Sequence, residues 1–120
     1  GFAVTVATRT KSKAEIMIRA VRDHLADALT TLPGLLGNGK DTSLHFYIAN
    51  LPNMHKNIFP ALIQAYESWV MTGKRTVIEE LVPASKSHWT ALASQILEVY
   101  RRHPDDYARR LQMLVENSKF

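Results

Sequence analysis

The stretch from Ser85 to Asn117 constrains the fold most, because its apolar residues keep a helical period on both sides of one proline. Trp89, Leu92, Ile96 and Val99 recur at steps of three, four and three residues. That spacing places them on one stripe of a helix and turns Thr90, Ser94, Glu98, Arg101 and Arg102 outward. Pro104 cannot continue the helix, but its fixed φ suits a first helical position, so His103-Pro104-Asp105-Asp106 reads as a stop and an immediate restart. Tyr107, Leu111, Leu114 and Val115 form the second stripe, with Asp105 to Arg109 and Asp106 to Arg110 at i,i+4 in the favourable order. The expected product is a tight helical hairpin whose stripes need a partner surface.

At 120 residues the chain fits one domain that buries roughly two thirds of its unfolded surface. Hydrophobic content of 46% and charged content of 22% argue against disorder and against a membrane class, and no apolar run approaches the roughly 18 residues that span a bilayer. The opening Gly1-Phe2-Ala3 has neither an initiating Met nor the pattern of a signal peptide, which suggests a module of a larger protein. Cysteine is absent, which removes disulfides, thiolate nucleophiles and cysteine-ligated metals. The expected location is intracellular, in cytoplasm or nucleus. Fifteen Lys and Arg against eleven Asp and Glu give +4 and a pI of about 9.6, a balance that favours polyanions or acidic protein surfaces as partners.

From the amino end, Phe2, Val4 and Val6 alternate with Ala3, Thr5 and Ala7, a period-2 pattern that predicts an extended arm over residues 1–11. Ser12-Lys13-Ala14-Glu15 matches a capping box, so a helix is expected from there. Ala14, Ile18, Val21, Leu25, Leu29 and Leu32 carry it to Pro33, with Glu15 and Arg19 in support at i,i+4. The glycines of Gly34 to Lys40, GLLGNGK, predict a loop. Asp41 is placed to cap the next segment, in which Leu44, Tyr47, Ile48 and Leu51 fit a helix while Leu44, Phe46 and Ile48 also alternate as in a strand; helix is the preferred reading. After Pro52 and a polar stretch, Phe59, Leu62, Ile63, Tyr66, Trp69 and Val70 form a broad apolar face, with Pro60 in the first turn and Gly73 at the end. Lys74 to Val82 reads as a short amphipathic piece that Pro83 separates from the hairpin. The proline spacing shows no repeat.

The chemical motifs are weak against their structural explanations. Gly34 to Lys40 has the spacing GxxxxGK of a phosphate loop, but Asp41 stands where a Ser or Thr should follow, and the segment follows a helix rather than a buried strand. Histidines 24, 45, 55, 88 and 103 include no i,i+4 pair and no HExxH, so they read as structural or surface residues rather than metal ligands. Ser85-Lys86-Ser87-His88 lacks a nucleophile signature and reads as a helix cap. Glu79-Glu80 and Asp105-Asp106 are adjacent in sequence and diverge by about 100° on a helix, so neither makes a facing acid and base. Phe46, Tyr47, Phe59, Tyr66, Trp69, Trp89, Tyr100 and Tyr107 lie on apolar stripes and read as core, with an exposed Trp69 or Trp89 as the sign of a partner groove.

These residues predict an all-α bundle of five or six helices over residues 12–120 with an extended amino-terminal arm; the alternative is an α+β fold with short strands at 2–8 and 44–50. No catalytic residue, metal or cofactor is expected. The expected function is a non-catalytic interaction module that docks an acidic or amphipathic protein segment between helices. The alternative is a nucleic-acid-binding domain that contacts phosphates. For either, the candidate residues are Arg9, Lys11, Lys13, Arg101, Arg102, Arg109 and Arg110, because arginine forks suit phosphate and carboxylate alike.

Overall fold

Two apolar centres organise the chain, and one long amino-terminal helix runs beside both. The computed structural model describes the backbone of residues 2–39 and 41–120 and the side chains of residues 8–39 and 41–120. In order, the elements are α1 (Phe2–Ala26), a π-helical turn (Asp27–Thr31), α2 (Leu32–Gly37), α3 (Asp41–Ala49), α4 (Asn53–Ile58), α5 (Pro60–Thr72), α6 (Thr76–Arg102) and α7 (Tyr107–Glu116). No strand occurs among the described residues, and the protein is an all-α bundle. α1, the π turn and α2 run on without a break for 36 residues, about 54 Å at 1.5 Å per residue, which accounts for the 52 Å long dimension of the molecule.

The amino-terminal segment departs from the expected arm: residues 2–11 are helical and belong to α1. Ser12 and Glu15 therefore lie inside a helix and do not cap one. Extending an existing helix adds a hydrogen bond for each residue fixed, whereas a lone strand needs a neighbour to pair with. The extension also has a surface to rest on, since α1 packs along α7 and Gln112 Nε2 donates to the carbonyl of Thr10 at 2.7 Å.

Pro33 does not end the first helix, and residues 34–37 of the expected loop are helical. The accommodation lies one turn earlier. Leu32 N–H bonds to the Asp27 carbonyl five residues back, a π-type bond that widens the helix ahead of the proline, and Pro33 then sits in the first turn of α2, the position a proline tolerates best. The chain turns only at Gly39, whose φ is +68°; Lys40 lies outside the described residues. The second expected break, at Pro83, is also absent, because α6 continues through it. Ile78, Ser85, Trp89, Leu92 and Ile96 are buried along one face of α6 on both sides of that proline. Burial of this face offsets the missing hydrogen bond, a defect of about 3 kcal/mol in an isolated helix. Ser85, expected as a cap, is buried mid-helix and donates to the Val82 carbonyl at 2.8 Å.

Residues 44–49 are helical, in α3, which resolves the helix-or-strand ambiguity. The α6–α7 hairpin forms as its stripes require, with Tyr100 and Tyr107 in contact across the turn at 4.8 Å. Helix α7 begins at Tyr107 rather than at Pro104. The larger core gathers Met17 and Val21 of α1, Phe59 and Leu62 from the start of α5, Trp89 and Leu92 of α6, and Leu111 and Val115 of α7. The smaller gathers Leu32, Leu44, Ala65, Trp69 and Ile78. The buried stripe of α1 runs Ala14, Met17, Val21 and His24 and continues to Ala28 in the π turn, while Leu29 is half exposed.

Candidate functional site

The expected cationic surface does not assemble into one site. Arg101 Nη2 binds Glu98 at 2.7 and 2.8 Å, and Arg102 Nε binds the same carboxylate. Arg110 Nε pairs with Asp106 Oδ2 at 2.9 Å, in the i,i+4 order expected of the second helix. Arg9 is exposed on α1, and Lys13 lies beside Met17 and Glu116. Lys11 and Arg109 share the wall of a depression of about 450 Å³ that also contains Asp105 and Asp106, so its charge is mixed. Lys11 Nζ stands 6.0 Å above the Tyr107 ring.

A larger groove lies elsewhere. It measures about 730 Å³ and opens between the end of α1, the π turn, α2, α3 and the start of α4. Leu35, Phe46, Leu51 and Pro52 provide apolar lining, while Asp23, Asp27, Thr42, Ser43 and Asn50 provide polar groups. Phe46 is 70% exposed, unusual for so large an aromatic ring. Its apolar neighbours suggest a core position, yet the helical reading of Leu44, Tyr47, Ile48 and Leu51 leaves residue 46 on the opposite face. Trp69 and Trp89, the tryptophans that would have signalled a groove by exposure, are both buried.

The polar wall of the groove is held in place by two cross-element hydrogen bonds. Tyr47 in α3 donates its hydroxyl to Asp27 Oδ2 at 2.7 Å, and His55 in α4 donates from Nε2 to Asp23 Oδ2 at 2.9 Å. Burial, reinforced by the bond to Asp27, pushes the Tyr47 hydroxyl well above its ordinary pKa, so it stays a neutral donor. The Asp23–His55 pair has the outline of a catalytic acid and imidazole, but His55 Nδ1 is buried without a partner and offers no exposed nitrogen to a bound molecule. Behind the groove, His24 is buried and donates from Nε2 to the His55 carbonyl at 2.8 Å. Its ring packs edge-on to His55 and Phe59 and stacks on Trp89. Burial lowers its pKa to about 4. His24 and His55, distant in sequence, are thus brought together by the fold, His55 on the groove wall and His24 behind it; no cluster of three or more metal-ligating side chains occurs among the described residues.

The phosphate-loop spacing also has a structural role. Gly34 and Gly37 are in α2, whose end is held by Arg75: its Nη2 donates to the carbonyls of Leu35 and Leu36 at 3.3 and 3.0 Å, with Asp41 3.6 Å from Nη1. Carbonyls left open at a helix end thereby gain a charged donor. Among the described residues, no helix is long and apolar enough to cross a membrane.

An all-α domain with an open, apolar-floored groove and a dispersed set of cations, of which Arg101, Arg102 and Arg110 pair with carboxylates, is the class that fold and site define. The chain belongs to the family described as "Family of unknown function (DUF6866) C-terminal domain", whose family model matches residues 1–118. No curated protein and no solved structure matches it.

Proposed function

We propose that this domain is a non-catalytic interaction module that docks an amphipathic helical segment of a protein in the groove between α1–α2 and α3. The observation that carries the reading is the exposed Phe46 on a groove of about 730 Å³ with Leu35, Leu51 and Pro52 around it. Apolar helix faces are recognised in grooves of this kind, and aromatic residues contribute disproportionately to such contacts. Contact with nucleic-acid phosphates is less well supported, because Arg101, Arg102 and Arg110 already share carboxylates with Glu98 and Asp106.

Titration of the ¹⁵N-labelled protein with a neutral helical peptide of leucine and glutamine, its leucines on one face, tests the reading. Amide shifts confined to residues 23–35 and 42–55, and lost in Phe46→Ser, support it. Shifts centred on Lys11 and Arg109, or binding that Phe46→Ser leaves unchanged, would reject it. A parallel titration with duplex DNA at two salt concentrations tests the phosphate reading through the steep salt dependence that counterion release imposes.

A further inference from the structure

The charge of the groove runs against that of the chain. The protein carries a net +4, yet the groove lining includes Asp23 and Asp27 and, among the described residues, no lysine or arginine. The two acids are one helical turn apart on the same wall. Each is fixed from another element through one carboxylate oxygen, Asp27 by Tyr47 and Asp23 by His55, which among the described residues leaves the other oxygen of each to a further partner. Asp23 is 43% exposed, so that oxygen can be reached.

We infer that the groove selects a docked segment bearing a lysine or arginine next to its apolar anchor, with the cation seated between Asp23 and Asp27 and the anchor against Phe46. This inference rests on the docking reading above and names the chemistry of its partner. Three features favour a cation there. The carboxylates are pre-positioned, so little side-chain entropy is lost when they are engaged. Their partners Tyr47 and His55 are donors, which hold the oxygens without adding a competing lysine or arginine. An apolar anchor docked on the floor would exclude water beside them and strengthen a charge-assisted bond relative to one in bulk solvent. An acidic segment would meet repulsion at the same wall, so of the acidic and amphipathic partners expected from the sequence, the groove fits a basic amphipathic one.

The test compares three helical peptides that keep the same leucine face and carry lysine, glutamine or glutamate at the flanking positions. Their affinities are measured by calorimetry against the wild-type domain, Asp23→Asn/Asp27→Asn and Phe46→Ser. Asparagine keeps a side-chain oxygen to accept from Tyr47 and His55, so the double variant retains its fold. The expected result is that the lysine peptide binds most tightly and loses about tenfold or more in the double variant, while the glutamine peptide is unaffected by it and both are weakened by Phe46→Ser. If lysine and glutamine peptides bind equally well to the wild type and both depend on Phe46, charge selection is overturned and the docking reading stands. If Phe46→Ser changes neither, the groove is not the docking site and both fall.

Discussion

The imidazole of His24 stacks on the indole of Trp89, with ring centroids 5.1 Å apart and planes inclined by 19°, inside the larger apolar core. A histidine in that position is stable only as the neutral form. Its pKa of about 4 lies below the 6.5 of an exposed histidine, chiefly because burial penalises the charge. Between those two values the unfolded chain binds a proton that the folded chain does not, so stability is complete above about pH 6.5 and declines as pH falls toward 4. The loss is on the order of 3 kcal/mol across the window. Denaturant melts at stepped pH check this, and His24→Gln should flatten the decline between pH 6.5 and 4; an unchanged slope would show that another group carries it.

Trp89 and Phe46 make opposite predictions from their surroundings. Trp89 is fully buried among Phe59, His24 and Phe120, so Trp89→Ala should cost about 3–5 kcal/mol by chemical denaturation. Phe46→Ser removes an exposed ring and should shift stability by no more than about 0.5 kcal/mol. A large loss in Phe46→Ser would mean that this ring supports the fold rather than offering a contact surface.

Gly73 ends α5 in the left-handed region, φ +73°, with its N–H bonded to the Trp69 carbonyl at 2.7 Å. A Cβ there would meet nothing within 4 Å, so Gly73→Ala isolates the backbone term. The expected cost is about 1–2 kcal/mol. Thermal melts of the single variant measure it, and no change in midpoint would contradict the assignment.

Arg75 ties α2 to the start of α6 through the Leu35 and Leu36 carbonyls. Arg75→Met keeps most of the aliphatic stem and deletes the donors, so those carbonyls lose their charged partner at a cost of about 1–3 kcal/mol. Hydrogen exchange should accelerate across residues 32–39 more than across α6. Uniform acceleration would indicate a global rather than a local role.

Much of the architecture was legible where apolar residues kept a helical period. The α6–α7 hairpin, the α5 face from Phe59 to Trp69 and its glycine stop all follow from spacing and local turn chemistry, which act within a few residues, although Val70, expected on that face, is 57% exposed. The errors fell at the prolines and at the amino end. Pro33 and Pro83 are strong breakers in isolation, but a π turn absorbs the first and burial of the Ile78-to-Ile96 face carries the helix through the second. Neither compensation is visible in a window of a few residues.

The candidate site was hardly legible at all. The sequence drew attention to exposed arginines, several of which the fold places beside carboxylates. Asp23, Asp27, Tyr47 and His55 are separated by up to 32 positions, and no spacing rule links them. By itself the sequence determined where most of the helices lie and which stripes must be covered, because periodicity is a local property of the chain. Only tertiary structure decided which acids share a wall, which histidines lose their water, and that Phe46 stays uncovered, because these depend on how separate helices pack against one another.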